Sequence, residues 1–178
     1  RKINEKVIKT WSEVLKKLPR SKLFFNGNSY CGDKISYITQ SFGEKKIDTN
    51  RILFGGQSSR QALFESYNQV DIALDPFPYP GGTTTCEALW MGVPTVTKKG
   101  THFLSNVGQS VSVNSGNHHL CVASIEEYIQ RCILLAEDVE KLNRDRLERR
   151  ARLSQSPLFD GHLFAKQFGE LMKKLANT

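Results

Sequence analysis

One short segment holds most of the residues in this chain that suggest chemistry. An apolar run ending at Leu74 leads into a loop with three prolines, two glycines and then three consecutive threonines. The threonines begin a helical pattern, so their hydroxyls and backbone N–H groups would gather at the positive end of a helix dipole. That arrangement favours binding of a phosphate group. The candidate residues are Gly81, Gly82, Thr83, Thr84 and Thr85.

The composition of the loop fits a ligand-binding role and argues against two common nucleotide sites. The prolines stiffen the chain, so little conformational entropy is lost when a ligand orders it. We expect Gly81 and Gly82 to allow close approach of the backbone to a phosphate, with positive φ. The GxxxxGK[ST] pattern is absent, which argues against ATP hydrolysis of the P-loop type. The GxGxxG pattern is absent too, which disfavours a dinucleotide-dependent dehydrogenase.

A structural explanation of the same residues stays open. Thr84 and Glu87 have the S/T-x-x-E spacing of a capping box, in which the two side chains close the first turn of a helix. Glu87 has a second available role, because a carboxylate one turn into the helix can accept hydrogen bonds from the hydroxyls of a ribose. The same carboxylate oxygens cannot fully serve both partners.

The alternation of apolar and helical patterns predicts an α/β domain. Strand-like runs are joined through single helices, which means right-handed crossovers and a Rossmann-like parallel sheet with flanking helices. Ligands of such sheets bind beyond the carboxyl ends of the strands, where the loop 76–85 lies. From about residue 124 to 178 the pattern is helical and strongly charged. The strand-like runs are 22–26, 51–54, 70–74, 95–97 and 119–123.

Length and composition indicate a single globular domain, residues 1–178. The chain has 178 residues, of which 39% are hydrophobic and 24% are charged, enough for one substantial core. It begins at Arg1 rather than with methionine, so we expect a fragment of a longer chain. No apolar run approaches the ~20 residues that span a bilayer, and we therefore expect no membrane segment.

The excess of positive charge does not indicate a nucleic-acid partner. The net charge of +7 comes mostly from the first fifty residues, where lysines follow a helical pattern without aromatic residues between them. Such a pattern is typical of a solvated helix face, or of a face toward a missing neighbour. The lysines are Lys2, Lys6, Lys9, Lys16 and Lys17.

The cysteines and histidines do not predict a disulfide framework or a metal site. The four cysteines lack ligand spacing such as CxxC, and a domain of this size does not need disulfides. Reduced thiols in a cytoplasmic protein are therefore expected. His118, His119 and Cys121 lie close together in the sequence, but we expect a surface loop there rather than a metal site.

The wider segment 71–97, DIALDPFPYPGGTTTCEALWMGVPTVT, closely resembles the UDP-GlcNAc:protein O-GlcNAc transferase family, especially its bacterial members. The stretch from Gly81 to Pro94 is the most specific part of the resemblance, which extends over most of the chain. Weaker similarity includes RILFG at 51–55, SSR at 58–60, SNVG at 105–108 and SPLF at 156–159.

The resemblance implies a GT-B fold, in which two Rossmann-like lobes face each other across a cleft. This chain is similar to the C-terminal lobe, which holds a UDP-sugar donor. By analogy, Thr83 and Thr84 bind the pyrophosphate together with the helix N-terminus, and Glu87 binds the ribose. Ser58 and Arg60 match positions that contact the uracil.

The activity implied by the resemblance is that of an inverting protein glycosyltransferase, which moves a sugar from a UDP-sugar to Ser or Thr. No metal or other cofactor is expected, because the helix dipole and hydroxyls stabilise the leaving UDP. The protein acceptor would bind through parts of the full-length protein outside this chain. The isolated chain is expected to be inactive.

Several positions depart from the family pattern. Leu63 stands where the family usually has a donor-site histidine, Pro80 replaces an asparagine, and Asn106 stands where an arginine is common. The family's lysine for the departing diphosphate, its acceptor-binding lobe and its tetratricopeptide array have no counterpart, so no catalytic residue is assigned. Two alternatives stay open: a degenerate, non-catalytic nucleotide-binding or protein-interaction module, and a lobe of a related protein N-glucosyltransferase that uses glucose.

Overall fold

The computed structural model describes residues 2–56 and 59–177, and it confirms the α/β architecture. Within these ranges, short strands alternate with helices along the chain. The strands are β1 (Leu23–Asn26), β2 (Ile52–Gly55), β3 (Ala73–Leu74), β4 (Thr95–Lys98) and β5 (Cys121–Val122). The helices are α1 (Glu5–Lys17), α2 (Asp33–Glu44), α3 (Arg60–Ser66), α4 (Thr83–Trp90), α5 (Val107–Asn114), α6 (Ile125–Ala136), α7 (Val139–Arg144), α8 (Arg146–Ser154) and α9 (Gly161–Ala176).

The strands pair in parallel, as their helical connections require. β1 pairs with β2, with Leu23 opposite Ile52. In the second sheet β4 lies between β3 and β5, with Ala73 opposite Thr95. The chain leaves β3 and β4 at the same edge of this sheet, so the loops that follow these two strands lie side by side.

Two strands are shorter than the apolar pattern predicts. β3 keeps only two residues of the run that begins at Val70, because the carbonyl oxygen of Val70 accepts a hydrogen bond from Arg146 Nη2 (2.6 Å) rather than from a neighbouring strand. β5 is shortened because His118–Leu120, just before it, forms a turn of 3₁₀ helix.

One buried core joins the two sheets. α1 presents its apolar residues to this core, and Trp11 Nε1 donates a hydrogen bond to the hydroxyl of the fully buried Tyr128 on α6 (3.3 Å). Phe25 on β1 lies among four other aromatic rings, so β1 is fixed in the middle of the core. These rings belong to Trp11, Tyr30, Phe42 and Phe54.

The C-terminal helices cover the lobe unevenly. Leu153 on α8 is buried against Leu89 on α4 and Val111 on α5. α9 buries none of its residues and exposes an apolar face. No helix in the described ranges is both long enough and apolar enough to cross a membrane. The large exposed apolar residues of α9 are Phe164, Phe168, Leu171, Met172 and Leu175.

Candidate functional site

The loop between β3 and α4 is folded around a buried carboxylate. Asp75 follows β3 directly and is only 3% exposed. Its Oδ1 accepts a hydrogen bond from the N–H of Gly81 (2.5 Å), and its Oδ2 accepts one from Thr97 Oγ1 on β4 (2.8 Å). The carboxylate therefore ties the end of the loop to both strands.

The same loop is held by the N-terminal segment and by α6. Asn4 Nδ2 donates to the carbonyl of Phe77 (2.8 Å), and Lys2 Nζ donates to the carbonyl of Pro80 (2.9 Å). Phe77 is buried, with its ring edge-on to that of Tyr128 at a centroid distance of 5.6 Å. α1 begins at Glu5, so Lys2 precedes the helix, and its side chain contacts the loop. The expectation that Lys2 lies on a solvated helix face is wrong.

α4 begins without a side-chain cap. Gly82 is its N-cap residue, and the Gly82 carbonyl accepts hydrogen bonds from the N–H groups of Thr85 (3.0 Å) and Cys86 (3.1 Å). The N–H groups of Thr83 and Thr84 have no acceptor among the described residues, and both side chains are exposed. An anion bound at this point would accept hydrogen bonds from these N–H groups in the first turn of α4.

The capping box considered for Thr84 and Glu87 does not form. The helix begins at Thr83, so Thr84 lies inside the first turn rather than at the cap. A capping box does form at the start of α6, between Ser124 and Glu127. The alternative that would explain Thr84 and Glu87 by helix capping alone is therefore wrong.

Glu87 lies one turn into α4, with its side chain 12% exposed. Arg60, at the start of α3, places Nη2 3.9 Å from Glu87 Oε1, and its guanidinium lies over the ring of Phe64. The Tyr67 hydroxyl donates to the carbonyl of Thr84 (3.1 Å). Burial, and then the charge of Glu87, raise the pKa of Tyr67 to about 12, so Tyr67 keeps its proton at neutral pH.

The structure brings most of the predicted site residues together. Glu87 lies one turn beyond the exposed Thr83 on α4, and Arg60 lies 3.9 Å from the Glu87 carboxylate. Thr85 differs, because its side chain is buried against the loop and does not face solvent. Ser58 lies outside the described residues. Leu63 is half-buried on α3, one turn after Arg60.

Packing explains the glycine at position 81. A Cβ there would collide with Thr85 Oγ1 and lie 3.2 Å from Asp75 Oδ1. Neither Gly81 nor Gly82 has positive φ, so that part of the expectation is wrong. A Cβ on Gly82 would meet only Val107, at 3.9 Å, which leaves space in front of Gly82 for a ligand.

Sequence reasoning missed the residues behind the loop. Asp75, Thr97 and Gly108 form one cluster, since a Cβ on Gly108 would lie 2.7 Å from Asp75 Oδ2 and collide with the Thr97 hydroxyl. One feature of the sequence could have indicated this cluster: an aspartate directly follows a buried strand, where a carboxylate needs N–H or O–H partners. Asn106 also has a local role, because its Oδ1 accepts a hydrogen bond from the N–H of Gly100 (3.0 Å).

Burial raises the pKa of Asp75 from its ordinary 3.8 to about 6. The hydrogen bonds from Gly81 and Thr97 and the positive charge of Lys2 each oppose that rise. At neutral pH the carboxylate is therefore ionised inside the lobe, and its hydrogen bonds compensate part of the cost of desolvation.

Two adjoining cavities of about 360 Å³ each lie elsewhere on the lobe and share His119 and Leu134. In the first of them, Arg149 already donates to the carbonyl of Gly92 (3.0 Å) and lies 3.9 Å from Asp145. The start of α4 lines neither cavity and is open to solvent, and we assign the site there because its N–H groups lack acceptors within the described chain.

The cysteines and histidines are all among the described residues. All four cysteines are described and are free thiols. Across the described ranges, no three His, Cys, Asp or Glu side chains gather as metal ligands. Burial, and then the charge of Arg131, lower the pKa of His119.

Comparison with known proteins decides the family. The family model described as glycosyl transferase family 41 matches residues 1–168. The chain belongs to glycosyl transferase family 41.

Similar proteins from plants and an animal agree with this membership. Proteins described as probable UDP-N-acetylglucosamine–peptide N-acetylglucosaminyltransferase SPINDLY are 34% identical over 180 residues in Solanum lycopersicum and 36% identical over 170 residues in Arabidopsis thaliana. These matches cover 98% and 92% of this chain but only 19% and 18% of the plant proteins. A UDP-N-acetylglucosamine–peptide N-acetylglucosaminyltransferase of Caenorhabditis elegans is 25% identical over 174 residues, covering 98% of this chain and 15% of that protein. The family 41 chain thus spans about a fifth of the length of these plant relatives.

A solved structure confirms the fold class and the resemblance to bacterial members. A mutant of the Thermobaculum terrenum O-GlcNAc transferase superposes with a TM-score of 0.88 at 29% identity. The match covers 97% of this chain and 34% of that protein. This family 41 chain therefore has the Rossmann-like architecture of a GT-B glycosyltransferase lobe.

We expect the Thr97 hydroxyl to stabilise the lobe through Asp75. Thr97→Val removes the O–H that donates to the buried carboxylate, so the free energy of unfolding at neutral pH should fall by about 1.5–3 kcal/mol. Thr95→Val is the matched control, because Thr95 is also buried on β4 and its Oγ1 has no partner among the described residues. The control should change stability by less than about 1 kcal/mol. Urea unfolding measures both variants, and equal losses would contradict the assigned role.

The raised pKa of Asp75 predicts a pH-dependent difference between the wild type and Asp75→Asn. As pH rises from about 4, the unfolded carboxyl ionises first, so the folded state binds more protons and the wild type loses stability until Asp75 ionises at about 6. Asparagine does not titrate. The free energy of unfolding of the wild type, relative to the variant, should therefore fall by up to about 3 kcal/mol between about pH 4 and about pH 7. Urea unfolding at several pH values measures this difference, and a constant value would contradict the prediction.

Proposed function

We propose that this lobe binds the UDP-GlcNAc donor of a protein O-GlcNAc transferase, which moves the sugar to a Ser or Thr hydroxyl. The proposal rests on one observation: in this chain of glycosyl transferase family 41, α4 begins without a capping side chain. There two exposed threonines present N–H groups without acceptors in the described part of the chain, at the edge where β3 and β4 end. GlcNAc is the proposed sugar because the relatives are described as N-acetylglucosaminyltransferases.

The diphosphate of the donor fits the start of α4. The N–H groups and hydroxyls of Thr83 and Thr84 supply hydrogen-bond donors, and the helix dipole adds a positive potential. Gly82 leaves space for a phosphate to approach the backbone. Hydrogen bonds to a charged phosphate are stronger than those between neutral groups, so a few donors suffice to orient it.

The nucleoside would extend from the diphosphate toward α3. Glu87, one turn beyond Thr83, is placed to accept hydrogen bonds from the ribose hydroxyls. Its present partner, Arg60, has a side chain that is 78% exposed and lies 3.9 Å away. A long contact to an arginine that lies mostly in solvent contributes little, so a ribose can take over the carboxylate oxygens of Glu87 while Arg60 turns toward the uracil. The uracil contacts of Ser58 and Arg60 stay a prediction.

The lobe's part in the reaction is to stabilise the leaving group. The acceptor hydroxyl attacks the anomeric carbon, the bond between that carbon and the diphosphate oxygen breaks, and UDP leaves with inversion. Negative charge develops on the diphosphate as the bond breaks, and the N–H groups at α4 stabilise it without needing a metal ion. We assign the base that takes the acceptor's proton to no residue of this lobe.

The activity of the whole protein is part of the proposal, because this chain corresponds to about a fifth of its plant relatives. We propose that the acceptor protein binds through parts outside these 178 residues and that the isolated chain is inactive. A cytoplasmic location and a donor site that works without a cofactor belong to the same proposal.

Leu63 favours a second candidate, a nucleotide-binding or protein-interaction module without catalysis. It lies on α3 one turn after Arg60, where the resemblance leads us to expect a donor-site histidine. A leucine side chain offers no hydrogen bond to a donor. As a nucleotide-binding module, the complete protein would bind UDP but transfer no sugar.

Titration of UDP into the 178-residue chain tests the donor site. Calorimetry should show saturable binding, and Thr84→Ala should weaken it about tenfold, the effect of losing one hydrogen bond to a charged group. Thr49→Ala is the control, because Thr49 is also exposed but lies just before β2, at its amino end. That variant should bind UDP as the wild type does.

The outcomes separate the candidates. No saturable binding at millimolar UDP would refute the donor site and leave a protein-interaction module. Binding that survives both Thr84→Ala and Glu87→Ala would place the nucleotide elsewhere. Normal UDP binding with no transfer from UDP-GlcNAc by the complete protein would favour the non-catalytic candidate.

A further inference from the structure

We propose that Asp75 is a positioning residue of the donor site: by holding the N–H of Gly81, its carboxylate sets the direction in which the N–H groups of Thr83 and Thr84 face a diphosphate. The inference rests on the proposed function, since it takes the start of α4 as the diphosphate site. Asp75 is 3% exposed and lies behind the loop, so it acts through the backbone and does not touch the donor.

The path from the carboxylate to the helix start is short. Asp75 Oδ1 holds Gly81, and the next residue, Gly82, is the N-cap of α4. Gly82 has no side chain to restrict its conformation, and a Cβ there would meet no atom closer than 3.9 Å. The orientation of the first N–H groups of α4 therefore depends on how Gly81 is held.

The groups around Asp75 determine its charge and the orientation of its second carboxylate oxygen, Oδ2. Lys2 faces it from the N-terminal segment, Thr97 from β4, Cys121 from β5 and Tyr128 from α6. Burial raises the pKa of both the Cys121 thiol and the Tyr128 hydroxyl. Both groups therefore keep their protons at neutral pH, and neither adds a negative charge beside Asp75. The Tyr128 hydroxyl instead donates to the backbone carbonyl of Asp75 (3.1 Å). The carboxylate is thus oriented on one side by Thr97 and directs its other oxygen at Gly81.

A buried carboxylate beside an anion site has two opposing effects. It orders the loop through a charge-assisted hydrogen bond, and it repels a diphosphate through its charge. Removing the side chain weakens donor binding if positioning dominates and strengthens it if repulsion dominates. Asparagine separates the two effects, because its Oδ1 still accepts from Gly81 while the side chain carries no charge.

Calorimetric titration of UDP into the wild type, Asp75→Ala and Asp75→Asn tests the inference. We expect Asp75→Ala to bind about tenfold more weakly and Asp75→Asn to bind within about threefold of the wild type. Thermal unfolding of the same samples distinguishes positioning from folding. A variant that is merely destabilised regains affinity when it is cooled well below its transition, whereas affinity lost through misplaced N–H groups does not return.

A measurement on the wild type keeps the test valid if the variants fold poorly. In ¹H–¹⁵N spectra recorded from about pH 4.5 to about pH 7.5, the N–H of Gly81 should titrate with a midpoint near the pKa of Asp75, about 6. The N–H signals of Thr83 and Thr84 should follow with the same midpoint. A titration confined to Gly81 would overturn the inference.

The failures of the two proposals can be told apart. If UDP binds and Thr84→Ala weakens it, but Asp75→Ala binds UDP equally well or more tightly, the inference fails and the donor site stands. Loss of affinity in Asp75→Asn as large as that in Asp75→Ala would also overturn it. If the wild type does not bind UDP, the donor site fails and the inference fails with it.

Discussion

The hydrogen bond from the Gly81 N–H to the Asp75 carboxylate is the contact on which the rest of the site depends. It closes the loop that leaves β3 and determines where α4 begins. Thr97, Lys2 and the ring pair of Phe77 and Tyr128 all act on the same loop from different elements. The sheet, the N-terminal segment and α6 therefore converge on one backbone conformation. Burial of an ionised aspartate is the physical cost of that arrangement.

The geometry explains why the site is an open helix start rather than a cavity. Gly82 provides no capping side chain, so the N–H groups of Thr83 and Thr84 point outward and an external anion is the natural partner. Family membership and the match to a bacterial O-GlcNAc transferase show that this edge of the sheet belongs to a lobe of a GT-B glycosyltransferase. A leaving diphosphate needs stabilisation that strengthens as charge develops, and fixed backbone dipoles supply it.

The sequence predicted the alternating α/β order, the parallel pairing and the threonine loop, because periodicity and turn residues are local signals. It could not decide between a capping box and a ligand site at Thr84, since both have the same spacing. It also missed Asp75, whose partners Gly81 and Thr97 lie six and twenty-two residues away. The shortening of β3 was equally hidden, because the Val70 carbonyl is taken by Arg146 from a distant helix. Contacts of this kind depend on tertiary packing, which no local pattern encodes.

If the open start of α4 binds the diphosphate of a nucleotide, the N–H groups there should respond to the phosphates of a ligand. The most direct measurement compares ¹H–¹⁵N spectra of the chain titrated with UDP and with uridine, which lacks the phosphates. UDP should produce its largest shifts at the N–H groups of Gly82, Thr83 and Thr84, and uridine should leave these signals almost unchanged. Equal shifts with uridine, or largest shifts around the cavities at His119, would contradict binding of the diphosphate at this helix start.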